Sequence, residues 1–431
     1  MTDNFTPRRA RRPRPLLSNL LRRLALFFSV FGPATITAMA DNDAGGVATY
    51  SIAGATLGYP VLFLLLPITL LLAVTQEMGM RLTVTTRRGL ADLIREKFGL
   101  KVSIFIFLCL MIANMGTLVT ELSAVKTTSA MFGVPAAPAV VGMVLVAFLV
   151  ITRGNYRLTQ NIMLLSSVFY ISYIVSAVMA RPDWGMALGN LVFPHGVEVD
   201  PAYMRSYLLI GMGVLGTTIT PWGQFFVSSF AYDKQIEKGK LFFARLETYW
   251  GAFLTDFFSF FMIVATAATL FIHQIPLTSG EQAALAIQPF AGKFAGELFA
   301  LGILNAGFMG LVVVSLTGAY AFSEFFGLSG SLDTSFENSK TFYLLFIIQL
   351  VIATAISLFP GVTLFKLAIA TQTLNAMMLP FVFFYLIRLT SDRALMGEFA
   401  NTRFQRRFAI AATVVILVAS LFTVVISFLP Q

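Results

Sequence analysis

Asp41-Asn42-Asp43-Ala44-Gly45-Gly46 interrupts an apolar run that extends from residue 24 to residue 57. A second run, over 203–231, is broken by Gly216-Thr217-Thr218-Ile219-Thr220-Pro221-Trp222-Gly223-Gln224. Each glycine in the first stretch weakens a helix by about 1 kcal/mol. Pro221 removes an amide donor from the second. Backbone groups are thereby released from the helical ladder in the middle of segments long enough to cross a bilayer. In hydrocarbon, such groups are tolerated only where they face protein, water or an ion.

Outward from these breaks, apolar runs of spanning length recur at 24–57, 60–82, 102–132, 135–152, 159–180, 203–231, 242–273, 294–326, 341–359, 362–388 and 408–429. A helix needs about 20 residues to cover the hydrocarbon core, so the chain reads as an all-α polytopic membrane protein of eleven spans. The breaks fall in the first and sixth. Matching interruptions five spans apart predict two five-helix inverted repeats plus one further helix. The expected division is a disordered basic arm over 1–23, a first repeat over 24–180, an external loop over 181–202, a second repeat over 203–388, and a loop with the last helix over 389–431. Pro276, Gly280 and Pro289 mark an extended loop before the eighth span.

Composition agrees with this reading. Hydrophobic residues make up 57% of the 431 and charged residues 12%, about half the charge of an average soluble protein. A net charge of +9 would suggest nucleic acid in a soluble chain. Here 25 of the 30 Lys and Arg fall in the arm and in alternate inter-span segments, the positive-inside pattern. The N-terminus is expected in the cytoplasm and the C-terminus outside, in a plasma-membrane protein surrounded by lipid, without nucleic acid. The single Cys109 excludes an intrachain disulfide, and His195 and His273 have no partner at ligand spacing. No cofactor is expected, and the chain reads as a monomer.

Asp43 is the residue on which function turns. A carboxylate at the bilayer midplane costs several kcal/mol unless a positive or hydrogen-bonding group meets it. Neither broken segment contains Lys or Arg, so a bound cation is its natural partner. Asp41, two positions earlier, points elsewhere on a helix; it reads either as lining an access path or as a solvated vestibule residue.

The run Gly32-Pro33-Ala34-Thr35-Ile36 followed by Asp43-Ala44-Gly45-Gly46 resembles the first helix of the NRAMP divalent-metal transporters. Gln76-Glu77 through Arg81, then Gly89-Leu90-Ala91-Asp92-Leu93-Ile94-Arg95, is similar to that family's second helix and following loop. Leu379-Pro380-Phe381 resembles its tenth helix, and the likeness runs from Leu24 to Arg388. It implies a LeuT-type fold, with the first and sixth helices unwound in mid-membrane, and alternating-access uptake of a divalent cation.

The departures from that pattern shape the expected chemistry. Where the family has Met-Pro-His in the sixth helix, this chain has Thr220-Pro221-Trp222. The family's first-helix asparagine ligand is replaced by Gly46, its tenth-helix glutamine aligns with Met378, and a sixth-helix histidine aligns with Val227. Glu121 matches one acid of the family's proton pathway, while the second aligns with Leu118. The pattern resembles the NRAMP-related magnesium transporters. A thioether is a soft ligand, and its replacement by oxygen removes a preference against hard ions. Gly46 and Gly223 are expected to leave a roomy pocket suited to a partly hydrated Mg²⁺. The expected metal set is Asp43, Gly46, Thr217 through its carbonyl, Thr220, Gly223, Gln224 and Asn375; Asp41, Asn42, Glu121 and Trp222 are candidates for the access path or coupling. With few titratable groups, Glu121 stands almost alone, so transport of Mg²⁺, with Mn²⁺ also admitted, is expected to be uncoupled from protons. Lys126 is a candidate counter-charge to Glu121.

Other readings are a proton-coupled Mn²⁺/Fe²⁺ importer, a sodium-coupled amino-acid transporter, an intramembrane aspartyl protease and a non-transporting metal sensor. Thr220 counts against the first and the charge of Asp43 against the second. A protease needs two carboxylates sharing a proton, and the sixth helix supplies no acid. Saturable binding without flux would mark a sensor.

Overall fold

The structure is a computed structural model that describes residues 16–428 except 198–199, 276, 278–292, 329, 333, 335–336 and 363. Most of the expected basic arm, and the loop bearing Gly280 and Pro289, lie outside the described residues. Where the arm is expected to continue without structure to residue 23, the chain is already helical over Leu16–Val30. Leu, Arg and Ala in this stretch are good helix formers, a preference that the cluster of charge hides. The expected loop over 181–202 contains a short helix, Trp184–Val192, capped by Asp183.

Among the described residues, nine helices are long and apolar enough to cross a membrane, and none lies in the first or sixth position. Those two positions are filled by broken pairs. Span 1 consists of Pro33–Asp41 and Ala44–Leu57; span 6 consists of Pro201–Thr218 and Pro221–Asp233. Together they give the eleven-span order. The breaks are made locally: Asp43 caps the second half of span 1, Thr220 caps the second half of span 6, and Pro221 occupies the first turn of the helix Thr220 begins.

The broken spans lie at the centre. Every described residue from Pro33 to Tyr50, and from Thr217 to Ala231, is buried. Around them stand span 2 (Leu65–Thr86), span 3 (Leu100–Met131), span 7 (Leu241–Thr266), span 8 (Lys293–Phe326) and span 10 (Leu364–Ser391). Span 11 (Arg403–Phe428) and span 4 (Ala136–Arg153) present mostly apolar, outward faces, as with Val415 and Leu145. Close backbone approach replaces hydrophobic driving force between the inner helices. A Cβ on Gly216 would sit 1.8 Å from the Gln372 carbonyl of span 10, and one on Gly54 would sit 2.3 Å from the Ile263 carbonyl of span 7.

Two polar assemblies fix the end of the bundle that carries most of the basic residues. In the first, the buried Glu77 carboxylate accepts from Arg81 Nε at 2.8 Å and from Arg245 Nε at 2.7 Å. Arg81 also donates to the Phe399 carbonyl and, at 2.8 Å, to Asn401 Oδ1. Span 2, span 7 and the segment between spans 10 and 11 are thus tied through one buried ion pair. In the second, Glu247 accepts from the backbone N–H groups of Gly32, Ala34 and Thr35 at 3.1, 3.2 and 2.7 Å. Its carboxyl group meets the free amides at the N-terminal end of helix Pro33–Asp41. Lys234 donates to the carbonyl of Phe31 just before the bend, and to Gln160 Oε1 at 3.0 Å. The chain bends here by 56° between the preceding helix and Pro33–Asp41. Gly32, at φ +143°, permits it.

Candidate metal site at the two helix breaks

The second half of span 1 begins with backbone N–H groups that have no helical partner. Asp43 Oδ1 takes the N–H of Gly46 at 2.5 Å. Glu121, from span 3, takes those of Ala44 at 2.9 Å and Gly45 at 3.4 Å. Two buried carboxylates therefore share one helix N-terminus. The Asp43 carboxylate thus has a backbone N–H donor close by in addition to any bound cation. Lys126 is not the counter-charge of Glu121, since it donates instead to the carbonyls of Ser357 and Val362.

A further donor comes from span 10. Gln372 Nε2 reaches Asp43 Oδ1 at 3.3 Å, and Asn375 stands behind it, donating to Gln372 Oε1 at 2.8 Å. Gln372 lies nearly two turns before Met378, the position that aligns with the family glutamine, and is the span-10 side chain that bonds to Asp43. The signal available in the sequence is the pair Gln372 and Asn375, three residues apart on one helical face.

The space above Gly46 is the focus of the site. A Cβ there would stand 2.6 Å from Thr217 Oγ1, 3.1 Å from the Asp41 carbonyl oxygen and 3.3 Å from Asp43 Oδ1. Three oxygens from both broken spans thus converge on one position. Thr217 Oγ1 and Asp43 Oδ2 are buried without a hydrogen-bond partner. The hydroxyl of Thr217 faces this point. An all-oxygen set of carboxylate, carbonyl and hydroxyl suits a hard or borderline divalent ion.

Asp41 and Thr220 form a separate unit. Thr220 Oγ1 accepts from the Gly223 N–H at 3.0 Å and donates to Asp41 Oδ1 at 2.9 Å, while Gln76 donates to Asp41 Oδ2 at 3.2 Å. Asp41 is fully buried, so it is not a solvated vestibule residue. Gly223 makes room for this pair: a Cβ there would meet Thr220 Oγ1 at 2.6 Å and Asp41 Oδ1 at 3.0 Å. At both Gly46 and Gly223, polar oxygens stand within 3.3 Å of where a Cβ would lie. Gln224 follows on the same half-helix with both amide atoms buried and unpartnered, as is Trp222 Nε1.

Asn42 is tied to span 7. Its side-chain amide donates to the Thr255 carbonyl and accepts from Ser259, each at 2.9 Å. Tyr170 covers carbonyls freed at the break, donating to Met39 O at 2.7 Å and Asn42 O at 2.9 Å. Glu121 does not stand alone among acids: Asp43 is its neighbour at the shared helix end, and the buried Asp256 of span 7 accepts from Thr69.

Comparison with known proteins bears on the same features. The family model described as "Natural resistance-associated macrophage protein-like" matches residues 34–426. Curated relatives include divalent metal cation transporters MntH from Caldanaerobacter subterraneus, 23% identical over 89% of each chain, and from Ralstonia nicotianae, 27% identical over 95% of this chain and 92% of that one. Among solved structures, an Eremococcus coleocola manganese transporter in complex with an aromatic bis-isothiourea substituted compound aligns with TM-score 0.73 and 20% identity, covering 95% of this chain and 88% of that one. MhsT in complex with L-phenylalanine shares the fold more distantly, at TM-score 0.63 and 12% identity over 92% and 98% of the two chains. The fold is LeuT-like, and the chain, a multi-pass membrane protein matched from the start of its first span nearly to the end of its last, belongs to the Nramp family.

Proposed function

We propose that this protein is a divalent metal cation transporter that binds its ion at the Gly46 position and carries it across the membrane by alternating access. The convergence of Thr217 Oγ1, the Asp41 carbonyl and Asp43 Oδ1 on that one point carries the reading. Membership of a transporter family removes the protease alternative. The manganese transporter among the structural neighbours supports Mn²⁺ as a substrate. The residues support a selectivity shifted towards hard ions, with Mg²⁺ admitted and Cd²⁺ disfavoured, because the position of the family's methionine is occupied by Thr220, whose hydroxyl is committed to Asp41. Six-coordination of Mg²⁺ is completed by retained waters. The cytoplasmic placement of both the N-terminus and the basic end belongs to the same proposal.

Driving force divides two readings. An inside-negative potential of 100 mV supplies a divalent ion with about 4.6 kcal/mol, enough for uptake without a second ion. Proton coupling is favoured by one specific arrangement, Glu121 and Asp43 on the same helix end. The manganese importer to which such coupling belongs also accords better with the relatives' names than a magnesium transporter does. Proteoliposomes containing a pH dye, supplied in turn with Mn²⁺, Mg²⁺ and Cd²⁺, separate the possibilities. Flux of Mn²⁺ and Mg²⁺ exceeding that of Cd²⁺, abolished by Asp43→Ala, is the expected result; equal flux in Asp43→Ala rejects the site. Metal-dependent acidification identifies the proton-coupled form.

A further inference from the structure

A groove of about 910 Å³ runs between spans 10 and 11 on the outer surface of the bundle. Its long wall is apolar and exposed: Phe381 and Phe384 from span 10 face Ile410, Val414 and Leu417 from span 11. Pro380 lies in its lining within span 10. At one end the lining turns basic, with Arg388, Arg406 and Lys97. One acid shares that end, Asp392, and it is paired with Lys97 at 3.4 Å. Arg388 and Arg406 are exposed and have no ion-pair partner among the described residues.

The dimensions identify the occupant. From Arg406 to Leu417 span 11 rises about 16 Å at 1.5 Å per residue, close to half of the ~30 Å hydrocarbon core. The groove therefore extends from the basic interface to about mid-bilayer, the depth of a single leaflet. An apolar trough of that depth, headed by two unpaired guanidinium groups, complements a lipid whose acyl chain lies along Phe384 and Val414 and whose phosphate meets the arginines. Guanidinium suits phosphate oxygens through paired N–H donors. With Lys97 offset by Asp392, the surplus charge at the head is that of the two arginines. This favours an anionic phospholipid over a zwitterionic one, whose ammonium group would face the same cations. We propose that this groove is a binding site for an anionic phospholipid of the leaflet at the basic end of the bundle.

Native mass spectrometry of the full-length protein in detergent, titrated with phosphatidylglycerol or phosphatidylcholine, tests this directly. Wild type is expected to retain phosphatidylglycerol at least about fivefold more strongly. Arg388→Gln with Arg406→Gln should remove the preference, whereas Arg393→Gln with Arg403→Gln, basic residues of the same end outside the groove lining, should leave it intact. Val414→Trp, which fills the trough without altering charge, should lower retention of phosphatidylglycerol. Thermal unfolding of each variant checks that the fold is kept. Equal retention of the two lipids by wild type, unchanged preference in the groove double variant, or equal loss in both double variants would overturn the proposal. So would a dimer that Val414→Trp dissociates.

Discussion

Gln372 lies 3.3 Å from Asp43, its amide donating to the same carboxylate oxygen that caps Gly46. A residue of the tenth span is thereby joined to the break in the first. The same carboxylate oxygen faces the position where the ion is proposed to sit, so Gln372 tunes its basicity and fixes its direction. Gln372→Ala removes one buried hydrogen bond to a charged group, worth about 1.5–3 kcal/mol. The expected outcome is a KM for Mn²⁺ raised by about one order of magnitude or more, together with a lowered unfolding temperature from the lost buried bonds. An unchanged KM would place the ion away from Asp43 Oδ1.

Gly46 has a steric role that a substitution can isolate. Gly46→Ala places a carbon within 2.6 Å of Thr217 Oγ1, where the ion is proposed to bind. Flux should fall more than about tenfold while the protein remains folded. In Gly46→Ala with Thr217→Ala the clash is relieved but an oxygen is lost. Partial recovery is therefore expected, measured as initial Mn²⁺ uptake in proteoliposomes.

Thr220 tests the distinction between a ligand and a clamp. Thr220→Val keeps the shape but loses both the cap on Gly223 and the bond to Asp41. A stability loss of about 1–2 kcal/mol is expected from the cap alone, read as a lower unfolding temperature in detergent. Thr220→Met carries the same loss and introduces sulfur, so Cd²⁺ uptake should rise relative to Mg²⁺. Unchanged selectivity would count against the soft-ligand argument.

The ion network at the basic end predicts an asymmetry. Glu77 and Arg81 are each 1% exposed, whereas Arg245 is 37% exposed. Glu77→Gln leaves the buried Arg81 charge without its carboxylate and should destabilise by about 3 kcal/mol or more. Arg245→Gln, at a partly solvated position, should cost about 1 kcal/mol or less. Thermal unfolding of the two variants side by side checks the order.

Much of this architecture is legible in the chain because hydrophobic length and charge placement act over whole segments. The eleven spans, the paired breaks and the placing of Asp43 at one of them all follow from such signals. The finer contacts do not. Spacing along a helix says which face a residue occupies, not which turn of that helix reaches the neighbour. This is why spacing alone does not single out Gln372 as the span-10 side chain that reaches Asp43, with Asn375 bonded to it. Asn42, Asp41 and Thr220 escape for a related reason. In a helix break the side-chain directions follow from the local dihedral angles, and Asn42 turns to span 7 while Asp41 turns to spans 2 and 6. Glu247 carries no local mark at all as the acceptor for amides more than 200 positions earlier.

That last contact sets the mechanics of the first half-helix. Glu247 grips the start of Pro33–Asp41, and Lys234 holds the chain just before it. The nine-residue helix is consequently a lever about 13 Å long, hinged at Gly32, whose far end is held by the bonds of Thr220 and Gln76 to the Asp41 carboxylate and of Tyr170 to the Met39 carbonyl. A tilt of about 10° at the hinge displaces the far end by about 2 Å over that length. This is enough to part the Asp41–Thr220 bond and draw the Asp41 carbonyl away from the Gly46 position, while leaving the pivot intact.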